Sequence, residues 1–279
     1  MILDVVEFGL RWAMRVGGVR ARDIGTSVGR IRVYDLQGSP GKPTLVLLHG
    51  IGANATTFWP LFLGLRKVAG RVLALDNLGH GHSHRPDDLD PDAMLTAVNE
   101  VLDAELQEPA VLVGNSLGGA IALRYALRSA ERVKSLVLIS PAGAPYSATE
   151  LDDLRGLFDM NTRAKAVDFV HRLHARPVWY ARAIAADVAR RFRDPAMRIL
   201  LERLRPRPAM LPEEMARLPG RSLLLWGKAE RILPNSAVDF FRAHLPGVVE
   251  TPEGWGHCPQ IDRPRPLIRR IRRWLEEGG

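Results

Sequence analysis

The feature that most constrains the fold is an alternation of short apolar segments with longer segments of helical periodicity. Several of the short segments are continuously apolar, as strands buried on both faces of a parallel sheet must be. The predicted strands are 31–36, 44–49, 72–76, 110–114, 134–140, 222–227 and 248–251. The predicted helices between them are 92–106, 117–129, 236–244 and 264–277. This alternation predicts an α/β fold with a mostly parallel central sheet and helices on both faces.

One interval interrupts the alternation. Residues 145–219 have helical periodicity but contain no convincing strand, which predicts a helical cap inserted into the sheet domain. The core then consists of residues 1–144, with an N-terminal helix, and residues 220–279. Pro206, Pro208 and Pro212 stiffen the segment 205–212, where we expect the chain to return to the sheet.

Composition excludes several classes of protein. With 279 residues, 46% hydrophobic and 25% charged, the chain has the balance of a soluble globular protein. The net charge of +8 does not by itself indicate nucleic acid, and the basic segment 162–220 carries no known binding motif, so we expect no nucleic-acid partner. The single cysteine, Cys258, requires no oxidising compartment, and residues 1–18 do not resemble a signal peptide, so a cytoplasmic location is expected.

The N-terminal segment has a helical pattern of its own. Val5, Phe8, Trp12 and Val16 recur at helical spacing and predict a short amphipathic helix with an aromatic edge. We expect this helix to pack on its own domain. The alternative is a weak contact with a membrane or lipid surface, which the arginines that flank the apolar face favour.

The strongest chemical signal is the segment Val113-Gly114-Asn115-Ser116-Leu117-Gly118-Gly119, which follows an apolar strand and opens a helix. In this context the pattern G-x-S-x-G forms a sharp turn that presents a nucleophilic serine. Small residues at Gly114 and Gly118 avoid collisions there, and we expect the Ser116 hydroxyl to be exposed at the helix start. The Leu117 amide and the helix dipole face the same point, where they can stabilise an oxyanion.

Three further residues complete the candidate site. Ile51 lies in the small-residue segment 49–54 after an earlier strand and is placed to supply a second oxyanion amide, while His49 is assigned a structural role. His257 lies in a loop before the last helix, and Glu230 follows the strand 222–227. The chain order of serine, acid and histidine, each after a strand, predicts that Glu230 accepts the Nδ1 proton of His257.

These motifs together resemble the α/β-hydrolases, from about residue 31 to the C-terminus. The resemblance includes an H-G-x-G-like loop at His49, the pattern D-x-x-G-H-G-x-S from Asp76 to Ser83, the serine turn, an acid loop of the W-G-x-x-D-x-x-x-P type and a G-H loop. Glu230 departs from the usual aspartate. The other acid site that the family uses, at 141–145, has no carboxylate. The resemblance implies a serine hydrolase with a triad of Ser116, Glu230 and His257.

Two other interpretations are set aside. His80, His82 and His84 alternate as metal ligands sometimes do, but no second ligand cluster accompanies them, so we predict no metal and no other cofactor. Cys258 follows His257, and adjacent side chains point apart, so a small buried cysteine is expected rather than a reactive thiol.

The predicted reaction is hydrolysis of a carboxylic ester through an acyl-enzyme, with the oxyanion held by the amides of Ile51 and Leu117. The segment 140–143 with the following cap is similar to bacterial esterases and monoacylglycerol-lipase-like enzymes. Apolar cap residues such as Phe158, Phe169 and Trp179 suit a small-molecule ester with an apolar acyl group. The alternative is a carbon–carbon bond hydrolase of meta-cleavage products, which needs a cap arginine for the substrate carboxylate. A third, from a different class, is a non-catalytic binding module.

Overall fold

The computed structural model describes residues 1–203, 210–219 and 221–278. Eight strands lie in this part of the chain: β1 (Arg20–Thr26), β2 (Gly29–Gln37), β3 (Thr44–Leu48), β4 (Arg71–Leu75), β5 (Ala110–Asn115), β6 (Val133–Ile139), β7 (Ser222–Leu225) and β8 (Gly247–Glu250). They form one sheet in the order β1-β2-β4-β3-β5-β6-β7-β8. Strand β2 is antiparallel to β1 and β4, and the neighbouring strands from β4 to β8 are parallel. The mostly parallel sheet predicted from the sequence is confirmed.

Strand β1 was not predicted. Its sequence, Arg20–Thr26, is rich in charged and small residues and is largely exposed, so it lacks the apolar pattern that marks the other strands. It becomes a strand because β2 offers a free edge, with which it pairs along its whole length. Helix formation at residues 59–65 was also not predicted.

Twelve α-helices lie in the described residues: α1 (Ile2–Val16), α2 (Trp59–Leu65), α3 (Pro91–Glu105), α4 (Leu117–Arg128), α5 (Ala148–Phe158), α6 (Arg163–Arg172), α7 (Ala181–Arg193), α8 (Pro195–Arg203), α9 (Pro212–Met215), α10 (Asn235–His244), α11 (Pro259–Asp262) and α12 (Pro264–Glu276). None of them is long and apolar enough to cross a membrane.

The sheet separates two hydrophobic layers, because successive side chains of a strand point to opposite faces. In β3, Val46 and Leu48 belong to the layer that contains α3, α4 and α10. Leu45 and Leu47 belong to the opposite layer, which contains α2, α12 and Met14 of α1. Helices therefore cover both faces of the sheet, as predicted.

Helices α5 to α9 lie between β6 and β7 in the chain, where the sequence predicted helices without a strand. Among them, α6 and α7 pack against one another, and α7 also contacts α8 and α1. Most of the predicted stiff segment 205–212, including Pro206 and Pro208, lies outside the described residues. Pro212 is described and opens α9.

The N-terminal helix is confirmed as α1 and packs on its own domain, but its aromatic edge takes no part in that packing. Val5, Phe8, Trp12 and Val16 are 63% to 69% exposed, so the predicted apolar face lies in solvent. The helix packs through the opposite side, where Met14 is buried. The periodicity predicted a helix correctly but could not distinguish the buried face, because α1 carries apolar residues on both sides.

Candidate active site

Ser116 occupies the sharp turn between β5 and α4. Its backbone has φ 55° and ψ −119°, a conformation that side chains rarely adopt and that functional turns hold under strain. Close backbone packing enforces the turn. A Cβ on Gly118 would lie 2.0 Å from the Leu48 carbonyl oxygen, and one on Gly114 would lie 2.4 Å from the Gly118 carbonyl oxygen. The glycines that the sequence singled out are therefore the ones that the turn requires.

The expectation that Ser116 is exposed is wrong, since only 7% of its surface reaches solvent. The loop after β3 approaches from one side, and a Cβ on Gly50 would lie 3.2 Å from that of Ser116. Phe192 of α7 packs against Gly52 in the same loop. The turn does place the serine at the carboxyl end of β5, but neighbouring segments cover it. A local sequence pattern cannot reveal that cover.

Ile51 and Leu117, the predicted oxyanion residues, belong to the two segments that approach at this point. Leu117 is the first residue of α4, and the amides of a first helical turn have no partner within the helix. The N-terminal end of α4 also carries the positive end of the helix dipole. Ile51 is half-buried in the loop after β3, directly after Gly50.

His257 and Glu230 form a buried hydrogen-bonded pair. The Nδ1 atom of His257 lies 2.8 Å from Oε2 of Glu230. The other oxygen, Oε1, accepts the backbone amides of Ile232 at 2.7 Å and Leu233 at 3.2 Å. Burial raises the pKa of Glu230, but the charge and hydrogen bond of His257 outweigh it and, with the Ser140 side chain and the Ile232 amide, lower the pKa below its usual value. The carboxylate is thus ionised and placed to accept the Nδ1 proton, and in the neutral form of the imidazole this arrangement leaves Nε2 as an acceptor.

Asn115 links this pair to the serine turn, and sequence reasoning missed it. Its Nδ2 donates to the His257 carbonyl oxygen at 2.9 Å and to the Ile139 carbonyl oxygen at 3.0 Å. Its Oδ1 accepts from Nε2 of Gln260 at 2.9 Å. The residue next to Ser116 therefore holds the backbone of His257. A polar residue at the end of a fully buried strand was the available signal.

The structural role assigned to His49 agrees with its contacts. Its Nδ1 lies 2.8 Å from the Gly50 carbonyl oxygen, and its Nε2 accepts the Asn77 amide at 2.9 Å. Burial lowers the pKa of His49 to about 4, so the ring is neutral at pH 7. Asp76 completes this support by accepting the amides of Ala55 at 2.8 Å and His82 at 2.9 Å, which joins the 76–83 turn to the segment after β3.

The surroundings of Cys258 and of His80 give no support for a reactive thiol or a metal site. Cys258 is buried, burial raises the pKa of its thiol, and its Sγ faces Oδ1 of Asn115 at 3.9 Å. Burial also lowers the pKa of His80 to about 3. Within the described ranges, no three His, Cys, Asp or Glu side chains are grouped so that they could hold a metal ion.

The segment between β6 and β7 covers the candidate site at two places. At the His257 loop, the Cys258 amide donates to the Leu173 carbonyl oxygen at 3.0 Å, and a Cβ on Gly256 would lie 2.5 Å from the Ala175 nitrogen. At the loop after β3, Phe192 contacts Gly52. Phe192 also packs with Phe158 and Phe169, with ring centroids 5.4 and 5.3 Å apart, so the side chains above the loop form an aromatic cluster.

A mostly parallel sheet with a strained serine at a strand–helix turn and a histidine–carboxylate pair in later loops defines the class of α/β-hydrolase-fold proteins. A family model described as the alpha/beta hydrolase family matches residues 45–270, and the chain belongs to this family. The resemblance and the fold class predicted from the sequence are thereby confirmed.

The relatives include enzymes of two kinds, meta-cleavage product hydrolases and lipases. The chain is 43% identical to 2-hydroxymuconate semialdehyde hydrolase of Pseudomonas sp. (strain CF600) over 110 residues, which are 38% of this chain and only 39% of that relative. It is 26% identical to monoacylglycerol lipase ABHD6 of Homo sapiens over 262 residues, covering 85% of this chain and 77% of that one.

Solved structures show the same division. The structure of a bacterial membrane phospholipase A superposes with a TM-score of 0.83 at 26% identity, covering 99% of this chain and 91% of that one. A 2-hydroxy-6-oxo-6-phenylhexa-2,4-dienoate hydrolase from Rhodococcus sp. strain RHA1 superposes with a TM-score of 0.75 at 23% identity, covering 92% and 99%. The second likeness shows the shared fold alone.

Proposed function

We propose that this protein hydrolyses carboxylic esters through an acyl-enzyme, with Ser116 as nucleophile, His257 as general base and Glu230 as the carboxylate that orients the imidazole. His257 takes the Ser116 proton as the hydroxyl attacks the ester carbonyl, and it returns a proton to the leaving alcohol. The amides of Ile51 and Leu117 stabilise the oxyanion, each by about 3 to 4 kcal/mol. Water then cleaves the acyl-enzyme by the same steps.

The observation that carries this proposal is the buried His257–Glu230 pair. A fully oriented, ionised carboxylate fixes the proton on Nδ1 and leaves Nε2 free to accept a proton, which a base for serine requires. The Asn115 contact to the His257 backbone supports the assignment, since it joins the histidine loop to the residue beside the nucleophile.

Residues 145–219 act in this proposal as a cap that selects the substrate. The aromatic cluster of Phe158, Phe169 and Phe192 over the loop after β3 supports an apolar acyl group. Relatives named as a monoacylglycerol lipase and a phospholipase A support acyl esters as the substrate class. A cytoplasmic location belongs to the same proposal, because the lone Cys258 requires no oxidising surroundings.

A carbon–carbon bond hydrolase of meta-cleavage products is the second candidate. The similarity to 2-hydroxymuconate semialdehyde hydrolase favours it, and so does Arg191, whose Nη1 lies 3.4 Å from the Gly52 carbonyl oxygen. Arg191 is already paired with Glu7 at 2.5 Å, however, and Arg193 donates to the Met160 carbonyl oxygen at 2.6 Å. Both guanidiniums are already engaged by groups of the protein, which favours the ester.

Steady-state rates on two substrate classes test the proposal. We expect hydrolysis of p-nitrophenyl esters, with kcat/KM rising as the acyl chain lengthens from two to about eight carbons because each buried methylene adds about 0.8 kcal/mol of binding. A meta-cleavage dienoate should react far more slowly. The reverse preference would establish the carbon–carbon hydrolase instead.

A non-catalytic binding module is tested separately by labelling with a fluorophosphonate. We expect a covalent adduct on Ser116 in the folded protein and none in Ser116→Ala. Folded wild-type protein that forms no adduct and turns over neither substrate class would favour the binding module.

A further inference from the structure

Within the described residues, the outer face of α1 presents a row of exposed apolar side chains. Ile2, Val5, Val6, Phe8, Trp12 and Val16 are between 48% and 69% exposed. They lie on one side of the helix, while Met14 on the other side is buried against the sheet layer. Single exposed apolar residues are ordinary, but a continuous apolar face with two aromatic rings is typical of a site that binds a protein or a membrane.

Helix α2 extends this face. Leu63 is 46% exposed and Trp59 is 37% exposed. Leu63 lies beside the C-terminal end of α1, since a Cβ on Gly17 would be 3.1 Å from Leu63 Cδ2. The combined surface, which we call the α1–α2 face, consists of the eight apolar residues Ile2, Val5, Val6, Phe8, Trp12, Val16, Trp59 and Leu63.

Positive charge borders the α1–α2 face. Arg15 lies in the last turn of α1, and Arg66 and Lys67 directly follow the C-terminal end of α2. Arg15, Arg66 and Lys67 are exposed and have no acidic partner within the part of the chain that the structure describes. Trp and Phe rings with basic residues at the border are the composition of helices that lie in a membrane interface.

The next helix of the same layer adds more positive charge. Helix α12 packs against α2, where Ile268 Cδ1 lies 2.4 Å from the position of a Cβ on Gly64. On α12, Arg265, Arg269 and Arg273 are exposed and likewise have no acidic partner among the described residues. The apolar face and the unpaired arginines thus belong to one helical layer.

We propose that the α1–α2 face docks on the surface of an anionic lipid bilayer, with Phe8 and Trp12 inserted among the acyl chains and the surrounding arginines and lysine at the head groups. Charge complementarity favours an anionic bilayer over a second copy of the chain as the partner of this face. Two copies related by a twofold axis would bring like-charged borders together, which opposes association. An anionic bilayer instead attracts each cation near its surface.

The docked helix is attached directly to the cap. The Leu3 amide donates to the buried Asp187 carboxylate of α7 at 2.9 Å, and Glu7 pairs with Arg191 of the same helix at 2.5 Å. Phe192, the next residue, packs on Gly52 beside the candidate site. Docking of α1 therefore holds the cap at the lipid surface. Delivery of acyl substrates from the bilayer to Ser116 rests on the proposed ester hydrolysis, but docking itself does not.

Vesicle flotation tests the docking without any activity measurement. The full chain is mixed with vesicles of phosphatidylcholine and phosphatidylglycerol in equal parts, or of phosphatidylcholine alone. We expect binding to the mixed vesicles, weaker binding to the neutral ones, and loss of the electrostatic part at about 0.5 M salt. Phe8→Glu with Trp12→Glu should lower the bound fraction at least about tenfold, since both side chains lose their apolar burial.

Matched variants separate docking from general effects of surface change. Val248→Glu alters an exposed apolar residue on the edge strand β8 and should bind as wild type. Arg66→Glu with Lys67→Glu should weaken binding to mixed vesicles only, whereas Arg242→Glu, on α10 in the opposite layer, should not. Circular dichroism of each variant verifies folding.

Three outcomes would overturn the proposal: no flotation of the wild type, equal flotation of the Phe8→Glu/Trp12→Glu variant, or a wild-type dimer by light scattering that this variant dissociates without vesicle binding. The last would assign the α1–α2 face to a second copy. Vesicle binding by a protein without esterase activity would leave docking intact and refute only the proposed function.

Discussion

Helices α4 and α1 are both apolar, yet the protein uses them in opposite ways. Seven of the twelve residues of α4 are buried, and its first residues are pressed against β3. In α1, fifteen residues long, only Met14 is buried. The difference shows that an apolar helical pattern predicts a helix but not its surroundings. Enclosure by the sheet gives α4 a fixed geometry for chemistry, whereas α1 keeps its apolar side available to a partner.

The largest effect expected from the comparison is at the start of α4. Ser116→Ala should lower kcat by about 10⁶-fold, because the nucleophile and its base act as a unit. The thermal midpoint should change little, since the replacement removes only a small hydroxyl. Turnover of p-nitrophenyl butyrate and a melting curve check both. Retained turnover would mean that the strained turn serves packing and not chemistry.

The second largest effect is expected at Glu230, whose carboxylate orients His257. Glu230→Gln should lower kcat by about 10⁴-fold, because a neutral amide no longer stabilises the imidazolium and can favour the wrong tautomer. Glu253→Gln is the matched control, since Glu253 is an exposed carboxylate in the same loop region and pairs with Lys228. Equal rates for the two variants would require another carboxylate for His257.

Acid should lower the free energy of unfolding through two buried histidines, His49 and His80. Burial lowers the folded-state pKa of His49 to about 4 and of His80 to about 3, whereas both titrate near 6.5 when unfolded. Above pH 6.5 both states are neutral and no stability is lost. As the pH falls below 6.5, only the unfolded state takes up these protons, and each histidine costs about 1.4 kcal/mol of unfolding free energy per pH unit until its folded pKa is reached.

Urea unfolding between pH 7 and 4.5 measures this loss. Replacing one of the two groups, in His80→Phe, should flatten the pH dependence by about 2 kcal/mol over that range. The exposed His244→Gln on α10 should leave the dependence unchanged. An identical slope for wild type and His80→Phe would show that folding does not lower the pKa of His80.

A glycine in each helix gives the last comparison, which ends with the smallest expected change. A methyl group on Gly118 of α4 meets the Leu48 carbonyl oxygen at 2.0 Å, so Gly118→Ala should destabilise the protein by about 3 kcal/mol through overpacking against backbone. A methyl group on Gly9 of α1 meets nothing within 4 Å, so Gly9→Ala should stabilise by about 0.5 to 1 kcal/mol through helix propensity. Urea unfolding measures the change in unfolding free energy for each variant. Changes in the same direction would contradict the contrast between the two helices.

The fold was predictable from local information because buried parallel strands leave a distinctive pattern. Continuous apolar segments located β2 to β8 to within one or two residues at most ends, and the glycines around Ser116 predicted the strained turn. Strand β1 escaped prediction because its charged residues acquire strand geometry only by pairing with the β2 edge. Helix α2 escaped prediction because it is short, and the apolar residues of a short segment do not distinguish a helix from a strand.

The candidate site was predictable at the residues whose spacing carries chemistry, and less so at those that support them. Ser116, Glu230 and His257 follow separate strands in an order typical of the family, and the structure pairs His257 with Glu230. Asn115 and Gln260 are 145 positions apart, so no local pattern could join them. The burial of Ser116 was missed for the same reason, because distant segments cover it.

The sequence by itself determined strands β2 to β8, the strained turn at Ser116 and the presence of an apolar helix at the N-terminus, because each depends on residues close together in the chain. Only the tertiary structure decided which side of α1 is buried, which groups hold His257 in place and how the segment between β6 and β7 closes over the serine. Those features depend on contacts between residues far apart in the chain, and such contacts exist only once the sheet has brought them together.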